Sequence, residues 1–96
     1  MTIEQRLHAG SRAKEILDSE VFAGAFDDIE KDLIEQWKTS PARDHDGREK
    51  LWTYLQMLRR VRSQLEQTMA TGQLAQLELQ HRQTLADRAR GLFPAL

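Results

Sequence analysis

The chain contains no cysteine. That excludes a disulfide framework and thiolate metal sites, and it fits a reducing compartment better than an exported one. Proline occurs twice and glycine five times in 96 residues, so few positions interrupt the backbone. β-Branched residues are few and scattered, which leaves little for strands. No apolar run approaches the ~18–20 residues of a membrane span. The opening residues, MTIEQRLHAGSR, lack the basic-then-apolar pattern of an export signal. A cytosolic setting, or a particle assembled in the cytosol, is expected, with no membrane partner.

What remains is rich in Glu, Lys, Leu, Gln and Arg, the composition of helices. The length allows one domain, 1–96. The formal net charge is −1, but it is unevenly spread. Residues 1–40 carry nine acidic side chains against five basic ones, and residues 41–72 carry six basic against four acidic. An acidic first half beside a basic second half predicts charges satisfied within the protein. It does not predict a nucleic-acid-binding surface overall.

Two helices are legible from spacing. In DSEVFAGAFDDIEKDLIEQWK, Asp18 or Ser19 can cap a new helix and Glu20 sits where the dipole favours an anion. Phe22, Phe26, Ile29, Leu33 and Trp37 then follow at helical spacing. This predicts a helix over about 19–39. Ser40 before Pro41 stops it. Asp46 and Glu49 have the spacing of a capping box and predict a restart near 47. Leu51, Leu55, Leu58, Leu65 and Met69 form the second stripe, with Tyr54 and Val61 beside them, and Gly72 reads as its stop near 71. So short a loop, SPARDHDG, joins antiparallel neighbours. A hairpin turning near Arg43 pairs residues whose numbers sum to about 87 or 88 and keeps both stripes in register.

The ends are less patterned. TIEQRLHAGSRAKEIL, with Ile3, Leu7, Ala13, Ile16 and Leu17, predicts a weak helix with Gly10 in it. Leu74, Leu77, Leu85 and Leu92 predict a separate C-terminal helix over about 73–90, ended by Gly91 and Pro94, with an apolar tail, LFPAL. The expected fold is all-α: an antiparallel hairpin, 19–39 and 47–71, with flanking terminal helices. Two helices cannot cover so much apolar stripe, so either the terminal helices cover it or a second copy does, and completion as a helical bundle by self-association is the simpler expectation.

Candidate sites are few. Arg59, Arg60 and Arg62 form the most basic patch and could contact phosphates. Arg60 points away from the other two, however, and Arg59 and Arg62 lie at the edge of the stripe facing Glu30. An interhelix or intersubunit ion pair is the favoured reading. His8, His45 and His81 have no metal-ligand spacing. DHDG lacks the later ligands of a calcium loop, Leu55 standing where its glutamate would fall. No nucleophile has a base beside it and no Gly-rich phosphate loop is present. No enzyme activity, metal or cofactor is expected. Trp37 and Trp52 flank the turn, Trp52 about 100° from the centre of its stripe. Either they pack under the loop or they anchor another chain. Leu92, Phe93 and Leu96 either tuck against their own helices or dock on a neighbour.

The stretches RAKEILDSEVFAGAFDDIEKDLIEQWKTSPARDHDGREKLW and RRVRSQLEQTMATGQLA carry a resemblance. Their marks are Arg12-Ala13-Lys14, Trp37-Lys38, the Ser40-to-Asp44 turn, the Arg48-Glu49 to Trp52 restart, and Leu65-Glu66 to Gly72. Over about residues 12–75 the chain resembles a group of small helical proteins encoded in tailed bacteriophages and prophages, often close to head genes. That group has no assigned activity. The resemblance implies a setting, the virion or its assembly in the host cytoplasm, and no mechanism.

The leading expectation is a non-enzymatic phage protein that acts by contact with its own copies and with another phage or host protein, in head assembly or as a minor virion component. Two alternatives stand beside it. One is an inhibitor of a host defence or host enzyme, using the acidic first helix. The other is a nucleic-acid-binding accessory protein, using the arginine patch.

Overall fold

The computed structural model describes residues 1–92. Three helices account for nearly all of them: α1 (Ile3–Asp18), α2 (Glu20–Thr39) and α3 (His45–Leu92). No strand occurs among the described residues. The all-helical class expected from composition therefore holds, and so does the antiparallel pairing of α2 with the first half of α3.

The caps explain the boundaries. Thr2 and Gln5 form a reciprocal capping box at the start of α1, with bonds of 3.1 and 2.9 Å, so this helix is better nucleated than its weak periodicity suggested. Ser19 ends α1 and at once caps α2, its hydroxyl accepting from the Phe22 N–H at 3.3 Å. A single extended residue thus joins α1 to α2. Ser40, extended ahead of Pro41, ends α2 as expected. The α3 cap falls two residues earlier than predicted. Asp44, not Asp46, accepts from the Gly47 N–H at 3.1 Å, and its carbonyl accepts from the Arg48 N–H at 3.0 Å. A side-chain carbon on Gly47 would collide with that Asp44 carboxylate, so the glycine leaves room for the cap.

The larger correction concerns Gly72. It was read as a helix stop, with a separate helix beginning near 73. Instead α3 runs unbroken for 48 residues, about 72 Å at 1.5 Å per residue. Gly72 lacks the left-handed backbone a C-terminal stop needs. It is buried, and it is the point where α1 crosses α3. A Cβ on Gly10 would lie 2.7 Å from the Gly72 Cα, and one on Gly72 would lie 2.8 Å from the Gly10 Cα. Ala13 and Ala75, three residues beyond each glycine, are likewise buried. Missing side chains on both sides let the two backbones touch. The packing gained offsets the ~1 kcal/mol that glycine costs inside a helix. Arg6 fixes the register, donating from Nη2 to Glu78 Oε2 at 3.2 Å.

The α1–α2 pair therefore forms a broken rod laid antiparallel along the single rod of α3. The α1 helix packs on the later half of α3 and leaves the stripes of the hairpin uncovered. Extents are 80 × 24 × 17 Å and the radius of gyration is 22.0 Å, against about 13 Å for a compact chain of this length. Only Ile3, Ala13 and Ala75 are buried apolar residues among those described. Residues 81–92 of α3 are exposed throughout and project beyond the start of α1.

Candidate protein-contact surface

The hairpin tip is held by one arginine. Arg48, in the first turn of α3, stacks its guanidinium over the Trp37 ring, 4.1 Å from the ring centroid. Its Nη1 donates to the Trp37 carbonyl at 3.3 Å, the Ser40 carbonyl at 3.3 Å and the Ser40 hydroxyl at 3.1 Å. The orphan carbonyls at the end of α2 thus find a cationic partner on the next helix. Sequence reading placed Arg48 only as a restart residue. Its role was signalled by position alone: a cation eight residues after the stop at Ser40.

Next to this lock, α2 and α3 diverge into a groove of about 230 Å³ lined by Leu33, Ile34, Trp37, Leu51, Trp52 and Leu55. Both tryptophans sit on its rim, Trp37 42% exposed and Trp52 59% exposed. The leucines are half-buried. Trp37 is thus engaged by Arg48 on one ring face, while Trp52 has no cation–π or aromatic stacking partner among the described residues.

Further along, the arginine patch divides. Arg59 donates from Nε at 3.1 Å and from Nη2 at 2.8 Å to Glu30 Oε1. Arg62 lies 3.9 Å from Asp27 and 3.7 Å from Glu66. Arg59 with Glu30 and Arg62 with Asp27 both join residues whose numbers sum to 89, one beyond the expected register. Arg59 holds the closer contact and Arg62 the looser one. Arg60 is exposed and forms no ion pair among the described residues. The three guanidinium groups therefore do not form a single row.

On another face of α3, Tyr54, Met57 and Val61 are 54%, 62% and 53% exposed, at helical spacing. Met57, Val61 and Leu65, with Arg60 and Gln64, line a shallow depression of about 520 Å³. Asp46, Glu49 and Lys50 border a second one around Tyr54. Near the other end, Leu74, Leu77, Leu85 and Leu92 are all exposed. Of the tail residues singled out in the sequence, Phe93 and Leu96 lie outside the described residues.

No group of His, Asp and Glu side chains is arranged to hold a metal ion among the described residues. No described helix is long and apolar enough to cross a membrane. Lys14 is held above the ordinary lysine range by its hydrogen bond to Asp18 and then by the charge of that carboxylate, an exposed pair one turn apart. What this geometry offers, among the described residues, is an elongated rod with apolar strips on several faces. Comparison with protein-family models, curated proteins and solved structures gives no significant match.

Proposed function

We propose that the protein is a non-enzymatic phage protein that works by protein–protein contact, in head assembly or as a minor virion component, within the host cytoplasm or the virion. The observation that carries the contact role is surface. The chain exposes 7774 Å², against about 5,700 Å² for a compact monomer of its mass. The excess is larger than the ~800 Å² each partner contributes to a standard interface. Thirteen large hydrophobic side chains are exposed among the described residues, on helices that do not fold back over them. Self-association into a helical bundle would cover the hairpin stripes. The groove between Trp37 and Trp52 has the character of an anchor site for another phage or host protein. The phage setting draws on the resemblance of residues 12–75.

Cofractionation with purified particles tests this reading. The protein should travel with heads or with assembly intermediates, and Trp52→Ala should release it without loss of helicity. A second reading, an inhibitor of a host protein, draws on the outer face of α2, where Asp28, Asp32 and Glu35 are exposed. Stoichiometric capture of one host protein, with none of the chain in particles, would replace the first reading by the second. Salt-sensitive retention on DNA would favour a nucleic-acid role instead.

A further inference from the structure

The outward strip of α3 has an order along its length. At its start stand Asp46 and Glu49. In the middle stand Tyr54, Met57 and Val61. Arg60 stands between Met57 and Val61, on the flank of the strip, with Gln64 one turn beyond. At about 100° per residue, Glu49 and Arg60 fall within about 20° of each other on the same flank of the apolar residues. They are three turns apart, about 16 Å, so they cannot meet within one chain. Both are exposed, and neither has an ion-pair partner among the described residues. Glu49 ahead of the apolar residues and Arg60 beside the last of them, on one flank of one helix, make a charge pattern complementary to its own inverted copy.

We propose that the protein forms a twofold-symmetric dimer in which two α3 helices pack antiparallel through Tyr54, Met57 and Val61, with Arg60 of each copy paired to Glu49 of the other. The inference rests on the reading of the exposed apolar strips as contact surfaces, and it does not depend on the phage setting. Residues whose numbers sum to about 110 then lie level. Tyr54 meets the partner's Met57, an aromatic–thioether contact, and Asp46 lies level with the partner's Gln64. Lys50 lies on the strip itself. It is level with the partner's Arg60, so its aliphatic stem lies against the partner's Val61 and its ammonium turns to solvent away from that guanidinium. In an antiparallel pair, residues on one flank face residues on the same flank of the mate, so each Glu49–Arg60 contact occurs twice. The surface excess described above exceeds what one side of such an interface needs.

Charge exchange tests this directly. Sedimentation equilibrium should show a dimer for the wild-type chain. Glu49→Arg and Arg60→Glu should each weaken it on the order of tenfold, by placing like charges at two contacts. Circular dichroism should show helicity unchanged, because both sites are exposed. The equimolar mixture of the two single variants should associate as the wild type does, since both contacts then join opposite charges in the mixed dimer. The double variant E49R/R60E should also recover. A wild-type monomer, a dimer indifferent to both exchanges, or a mixture that fails to recover would each overturn the proposal. A chain that is monomeric yet travels with particles would overturn the dimer and leave the proposed function standing. A dimer with the expected charge behaviour but no particle or protein partner would do the reverse.

Discussion

Gly10 and Gly72 meet backbone to backbone: a Cβ on either would come within 2.8 Å of the other's Cα. No side-chain rotation relieves such a contact, so Gly10→Ala or Gly72→Ala must push α1 off α3. Each should destabilise the fold by about 1–3 kcal/mol, although alanine favours a helix by ~1 kcal/mol. Gly24 is the control. Nothing lies within 4 Å of a Cβ there, so Gly24→Ala should stabilise by about 0.5–1 kcal/mol. Urea denaturation of the three variants checks the opposite signs.

Arg48 closes the end of α2 through three hydrogen bonds and the face of Trp37. Arg48→Ala should lower stability by about 1–2 kcal/mol. Arg48→Lys should recover little of this, because an ammonium cannot stack flat on the ring while donating to both Ser40 and Trp37. Thermal unfolding monitored by circular dichroism separates the two, and tryptophan fluorescence of Arg48→Ala should report a changed Trp37 environment.

The arginine patch should rank by geometry. Arg59→Ala breaks the paired donation to Glu30 and should cost up to about 1 kcal/mol, screened by salt. Arg62→Ala, with contacts of 3.7 and 3.9 Å, should cost less. Arg60→Ala should leave unfolding unchanged at concentrations low enough to keep the chain monomeric. Chemical denaturation at low and high salt gives the order.

Residues 81–92 continue α3, exposed throughout, with no second helix beside them among the described residues. A helix of that length is marginal in water on its own. Amide hydrogen exchange there should be much faster than over residues 51–79, where α2 and then α1 pack. Docking of this end on another protein would appear as protection gained over the same residues.

How far the sequence carried the structure follows from what each signal encodes. Boundaries written by caps and proline were legible: Ser19 opens α2 and Ser40–Pro41 closes it. Glu30 was the one acid of α2 expected opposite Arg62 and Arg59; it pairs with Arg59, while Arg62 lies nearer Asp27. Gly72 was misread because a glycine in a helical run has two uses, a stop and a close approach, and local spacing does not separate them. The separating signal was long-range. AGSRA and TGQLA each place alanine three residues after glycine, and small residues at matched spacing on two helices mark a crossing. Asp44 and Asp46 can both cap, and the choice turned on room for the carboxylate beside Gly47. The locking role of Arg48 required knowing where α2 ends relative to the first turn of α3, which is a tertiary fact.

The central claim is that the exposed apolar strips of this rod join copies of the chain to one another. Sedimentation equilibrium of the wild-type chain from low micromolar to hundreds of micromolar tests that claim most directly. The expected result is an apparent mass that rises with concentration from the 11.1 kDa of one chain towards twice that value, with helicity retained throughout. A single species of one-chain mass over the whole range, fully helical and cooperatively folded, would contradict it.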